Sequence, residues 1–149
     1  MMQSTKRYGH EQGLSCCFRQ HNATSHCNLL HGYAIAVKLV FEADQLDPNG
    51  WVMDFGRLKS VKKYLEDTFD HKLLVAQDDP KLDHICELAG HRIADVLVVP
   101  RIGCESFAKM IYEWVNAWML SYGYRPRVRL VSCEVAEHAG NSAIYLGQK

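Results

Sequence analysis

An α+β domain built on antiparallel strands is the fold class this sequence predicts, and three observations predict it. Runs rich in β-branched and aromatic residues lie toward the two ends of the chain, two stretches between them carry apolar residues at helical spacing, and turn residues separate them. At 149 residues the chain suits one domain with a sizeable core and is short for two.

A first strand is expected within Gly13–Gln20, "GLSCCFRQ", a short apolar run. Residues 32–43, "GYAIAVKLVFEA", form the clearest strand, and "DQLDPNG" after them is a turn cluster. The period then changes. Phe55, Leu58, Val61, Leu65 and Phe69 recur at three- and four-residue steps with lysines and acids between them, which predicts an amphipathic helix with Asp54 as its N-cap. Residues 75–100 read as an insert, with a short helix from Pro80 and then an extended "VLVVP".

Residues 104–124 predict a second helix whose stripe is Phe107, Met110, Ile111, Trp114, Val115, Trp118 and Met119, with Gly123 as its C-cap. Tryptophans at that spacing belong to a core or a subunit contact. Two strands, Arg127–Ala136 and Ser142–Leu146, close the chain across an "AGN" turn. The expected order is therefore ββααββ, with an antiparallel hairpin at each end.

Lys plus Arg and Asp plus Glu both total 17, so there is no basic field for nucleic acid. A small molecule or another protein is the expected partner. No window approaches the roughly 18 apolar residues of a membrane span, and "MMQSTKRYGHEQG" lacks the apolar centre of a signal peptide, so a soluble cytoplasmic protein is expected. The six cysteines have neither the paired spacing of a secreted framework nor a CxxC zinc pattern, which makes them free thiols.

Three clusters can do chemistry. Cys27 and His31 lie four apart where a loop enters the long strand, and an imidazole beside a thiol favours the thiolate that acts as base or nucleophile. Asp70 and His71 end the first helix, and a carboxylate that orients an imidazole suits proton transfer near neutral pH. Glu134 and Glu137 lie in or just after a strand, where a carboxylate can accept the two parallel N–H bonds of an amino-pyrimidinone edge. Strand alternation puts residues 134 and 136 on one face and 137 on the other. Taken singly, each cluster has an ordinary explanation: a buried thiol, a solvated helix end, an exposed strand edge.

Together and in this order, the clusters resemble the 6-pyruvoyltetrahydropterin synthase family, most closely its 6-carboxytetrahydropterin synthase branch. The family's Cys-x-x-x-His-Gly-His stands here as "CNLLHGY", its GWxxDFxxLK as "NGWVMDFGRLK", its LDHxxL as "FDHKLL", its TSExxAK as "GCESFAK", and its closing hairpin as "EHAGNSAIY". The resemblance implies the tunnelling fold, a four-stranded antiparallel sheet with two helices on one face, assembled as a hexamer of two trimers with sites between subunits. It implies a lyase that converts 7,8-dihydroneopterin triphosphate to 6-carboxytetrahydropterin, acetaldehyde and triphosphate on the route to queuosine and other 7-deazaguanines. By position, Cys27 matches the family's base, Asp70 with His71 its proton-handling pair, Glu137 the carboxylate that anchors the pterin, and Glu105 the glutamate of TSE. Gly103 and Cys104 replace that motif's threonine and serine.

The family also implies zinc held by three histidines, two of them in His-Gly-His. Residues i and i+2 of a strand share a face, so that spacing aims two imidazoles at one metal. Here His31 remains and Tyr33 takes the second place, and a neutral phenol is a poor zinc ligand. A rebuilt site would draw on His31 with His21 and His26, or with Cys16 or Cys17. Two functional classes therefore stand open: the lyase, or a pterin-binding module or different pterin enzyme on the same fold that has lost the usual zinc.

Overall fold

In the computed structural model, which describes residues 1–148, the centre is β3 (His31–Ala43), a 13-residue strand with antiparallel neighbours on both sides. One side is shared by β1 (Met2–Tyr8), which pairs with Val37–Ala43, and β2 (Leu14–Phe18), which pairs with His31–Ile35. A 3₁₀ turn at His10–Gln12 separates them, ended by Gly13 in the left-handed region. On the other side lies β6 (Val128–His138), which forms a hairpin with β7 (Asn141–Leu146). The expected antiparallel hairpins at both ends are present.

The sheet has seven strands, in the order β5-β4-β2-β3-β6-β7 with β1 also on β3, and the described residues carry three α-helices. Four strands and two helices were expected, with a short helix and an extended "VLVVP" in the insert; the insert has both, and Met2–Tyr8 and Lys72–Ala76 are the added strands. Met2–Tyr8 escapes a hydrophobic search because one face carries Gln3, Thr5 and Arg7, paired with Glu42, Val40 and Lys38. The insert is a second unit. β4 (Lys72–Ala76) runs parallel to β2, α2 (Leu82–Gly90) crosses over, and β5 (Asp95–Val99) runs parallel to β4. β4 is covered on both faces, and this is why "LLVA" reads as an unbroken apolar run, whereas the edge strand β5 leaves Val98 of "VLVV" exposed.

The strand alternation divides the insert's contacts. Leu74 and Ala76 join the main core with α1 (Lys59–Phe69) and α3 (Cys104–Ser121), whereas Leu73 and Val75 pack with Ile85 of α2 on the opposite face. Helix α1 begins later than its sequence suggests. Asp54 Oδ1 accepts the Gly56 N–H at 2.9 Å and caps a 3₁₀ turn, Phe55–Leu58, that leads into the helix. From α3, Phe107, Ile111, Val115, Trp118 and Met119 are buried, and Trp114 stacks on Tyr64 of α1 with ring centroids 4.1 Å apart. The tryptophans serve the packing, as their spacing predicts. Gly123 lies in the left-handed region two residues past α3. All six cysteines are free, and no helix among the described residues is long and apolar enough to cross a membrane.

Candidate active site

The ladder between β2 and β3 sets the site. Cys16 stands opposite Tyr33, Cys17 opposite Gly32 and Phe18 opposite His31. A β-carbon on Gly32 would strike the carbonyl oxygen of Cys16, so the middle residue of "HGY" has to be glycine for the strands to close. His31 and Tyr33 then share the core-facing side of β3 and meet Phe18: His31 and Tyr33 ring centroids lie 5.3 and 6.0 Å from that of Phe18 and 5.7 Å from each other.

Cys27 is half-buried in a 3₁₀ turn, His26–Asn28, whose N-cap Ser25 accepts the Cys27 N–H at 3.3 Å. Two bonds tie this loop to the end of β2. The Gln20 N–H donates to the Cys27 carbonyl at 2.9 Å, and Arg19 Nη1 donates to the Asn28 carbonyl at 3.1 Å. Arg19 is itself held by the insert through a two-point bond to Asp79, Nε to Oδ2 at 2.8 Å and Nη2 to Oδ1 at 2.7 Å. Asp79 is only 5% exposed, and its bond from the Arg19 guanidinium holds its carboxyl below the usual carboxylate range.

The start of α3 and the end of β6 close the site. The Gln20 side-chain amide donates to the Ile102 carbonyl at 2.9 Å, which fixes the approach to Cys104. Burial, then the charges of Glu137 and Glu105, push the Cys104 thiol up to about 11, while a bond from the Glu137 backbone pulls it the other way. Glu137 sits where the β6–β7 register shifts between Ala136 and His138. As alternation predicts, the two glutamates part. Glu134 pairs with Lys38 at 3.7 Å, and Glu137 lies toward Tyr33 and Cys104. Burial and then the charges of Glu137, Cys27 and Cys104 raise the Tyr33 phenol above its usual value, which keeps it a neutral donor. His138 approaches Tyr33 with ring centroids 6.2 Å apart. Cys27, His31, Tyr33, Cys104 and Glu137 are thus gathered by one fold, and Glu105 is exposed in the first turn of α3 beside them.

The Asp70–His71 pair is placed elsewhere. Asp70 Oδ1 accepts from His71 Nδ1 at 2.6 Å, the His71 N–H donates to the Ser15 carbonyl at 2.7 Å, and the imidazole is 87% exposed. It lines an open cavity of about 570 Å³ with Ser15, Cys17 and Ala34, which alternate away from Phe18 and the Tyr33 ring. Tyr33 borders the same cavity; His71 stands on the far side of the β2–β3 ladder from Phe18, and Cys27 does not line that cavity. His71 also has φ of 56°, a left-handed conformation that costs a β-carbon-bearing residue about 1 kcal/mol.

The expected zinc ligands do not assemble within the chain. His21 is 11% exposed and faces Asp78 of the insert, Nε2 to Oδ1 3.8 Å; His26 is exposed; His31 Nδ1 donates to the Leu29 carbonyl at 2.7 Å. Among the described residues no three His, Cys, Asp or Glu side chains converge as a metal-binding group. The donors present do not fit the ion, and no step below is routed through it.

Residues 9–148 match the family described as 6-pyruvoyl tetrahydropterin synthase. The chain belongs to that family. Among curated relatives, the 6-carboxy-5,6,7,8-tetrahydropterin synthase of Rickettsia felis is 39% identical over 57 residues, 38% of this chain and 41% of that protein. The enzyme of the same name from Aquifex aeolicus is 24% identical over 136 residues, covering 89% of this chain and 83% of its own. In fold, an uncharacterised protein of Wolinella succinogenes superposes with a TM-score of 0.83 at 18% identity, over 99% of this chain and 98% of its own. The 6-pyruvoyl tetrahydropterin synthase of Caenorhabditis elegans gives 0.61 at 19%, over 99% and 94%. The chain spans less than half the length of the Rickettsia relative it matches, and the structural likenesses establish the family's fold.

Two features of this family member lay outside the reach of its sequence. The Arg19–Asp79 anchor joins residues 60 apart with no motif around either. Phe18 as the ring opposite His31 follows from register, which the "CCFRQH" run leaves open.

Two tests follow. Asp79 has a lowered folded pKa, so its contribution is full above the unfolded value near 4 and drains away as pH falls below that toward the folded one. Asp79→Asn is expected to lose about 3 kcal/mol at pH 7, because Arg19 is left without its partner. Urea midpoints at pH 7 and pH 3 check this, and a gap between variant and wild type that does not narrow in acid contradicts it. His71→Gly is expected to gain about 1 kcal/mol by relieving the left-handed strain. A thermal midpoint that falls would refute that.

Proposed function

We infer that this chain is a cytoplasmic lyase of the 6-carboxytetrahydropterin synthase type. It takes 7,8-dihydroneopterin triphosphate and water to 6-carboxytetrahydropterin, acetaldehyde and triphosphate, a step toward queuosine and related 7-deazaguanines. The observation that carries the reading is that Gln20 ties the Cys27 loop to the approach to α3, where Cys104 takes a bond from the Glu137 backbone, so residues far apart in sequence share one neighbourhood and a pterin edge held at Glu137 has its side chain toward Cys27. Glu137 accepts the two parallel N–H bonds of the amino-pyrimidinone edge. Cys27 removes a proton from the side chain, and Asp70 with His71 handles the second proton. Glu105 and the first turn of α3 border the ring.

The exposed His71 imidazole lines a cavity that Cys27 does not reach, which supports a further part of the reading: the proton pair of each site comes from a neighbouring subunit, in a hexamer of two trimers. Neither group needs to move if a second chain brings its own His71 to the first chain's Cys27.

Purified protein given dihydroneopterin triphosphate is expected to release acetaldehyde, with Cys27→Ala slower by about 10² to 10⁴. Absence of acetaldehyde from well-folded protein, with and without added zinc, would leave the binding-module reading standing instead. Mixing unfolded and refolded Cys27→Ala and His71→Ala chains tests the shared site. With partners drawn at random, about a quarter of intersubunit sites regain both groups. If both groups act within one chain, the mixture stays inactive.

A further inference from the structure

Phe18, His31 and Tyr33 surround one point from adjacent strands, with centroid separations of 5.3, 5.7 and 6.0 Å. The cluster is built in. Phe18 is 1% exposed and packs edge-on to Phe107 of α3 at 5.5 Å, and the close passage at Gly32 fixes the strand register beneath all three. His31 Nδ1 carries the proton it donates to Leu29, which leaves Nε2 as an acceptor. Tyr33 brings a neutral hydroxyl, and Phe18 brings no donor atom. The cluster itself offers one imidazole nitrogen and a phenol, and among the described residues no three His, Cys, Asp or Glu side chains converge on it, short of the three or four protein ligands a zinc ion takes. An acceptor and a donor side by side do match a diol, whose hydroxyls each give and accept a bond.

We propose that this site binds its pterin without a resident metal, with His31 Nε2 and the Tyr33 hydroxyl holding the vicinal hydroxyls of the pterin side chain. This rests on the pterin reading above and adds which groups hold the side chain. Phe18 sets the ring positions and is a positioning residue.

The test uses the full-length protein with two probes: neopterin, which has the side-chain hydroxyls, and 6-methylpterin, which lacks them. After loading with zinc and dialysis, wild type is expected to retain well under one zinc per chain, while Phe18→His/Tyr33→His, which supplies two further imidazoles beside His31, takes up about one. Chelator leaves wild-type neopterin binding unchanged. Tyr33→Phe weakens neopterin roughly three- to tenfold, the worth of one hydrogen bond, and leaves 6-methylpterin unchanged. It removes a single oxygen, so it decides the matter even if the double variant does not fold. Wild type that binds neopterin and holds about one zinc per chain overturns the metal-free site alone, as does a Tyr33→Phe variant that binds both probes like wild type. Wild type that binds neither probe overturns the pterin reading and the roles of His31 and Tyr33 with it.

Discussion

At Gly32 the backbones of β2 and β3 pass so closely that a single added carbon would meet the carbonyl oxygen of Cys16. That approach fixes a register in which Phe18 faces His31 and Cys16 faces Tyr33. Because side chains alternate along a strand, a slip of β2 by one residue would send Cys16 and Phe18 to the wrong face. The same ladder holds the Ser15 carbonyl that receives the His71 N–H and keeps its left-handed backbone in place. Both halves of the candidate chemistry are therefore positioned by one short strand, β2, from its two faces.

A five-residue strand is a weak platform by itself, and the insert supplies what it lacks. β4 turns β2 from an edge into an interior strand, and α2 covers the face that would otherwise expose Leu73 and Val75. The insert also reaches around the strand end. Asp79 takes the Arg19 guanidinium in two bonds, and Arg19 spends a third donor on the loop that carries Cys27. A carboxylate with so little exposure would be costly without that partner. The loop inherits the rigidity of the pair.

What was legible in the sequence is what is local. The period of α3, the alternation of β3 and the turn residues between them name their own conformations, and the motif residues fall in the expected order. Register and long-range pairing are not local. Tyr33 is visible as a departure from His-Gly-His, yet its meaning depends on Phe18 standing opposite His31, which no spacing within "GLSCCFRQ" dictates. β1 is hidden because its outward face is polar: Glu42, buried in the sheet's far face, is satisfied there by Gln3 and Arg129 and not by apolar cover. The two glutamates show the opposite case. Alternation alone separated Glu134 from Glu137, and the fold keeps them apart.

The rings tie the two faces to each other. Phe69, the last residue of α1, packs on Phe107 at 5.3 Å, Phe107 on Phe18 at 5.5 Å, and Phe18 on His31 and Tyr33. Edge-on aromatic contacts restrict where neighbouring rings can sit, and each adds on the order of 1 kcal/mol beyond its buried area. Asp70 and His71 follow Phe69 directly, so the ring that ends this chain of contacts also aims the exposed pair. The aromatic path through the core is thus the physical connection between the two faces, and a core substitution at Phe107 would disturb the exposed Asp70–His71 pair and the His31–Tyr33 ring cluster together.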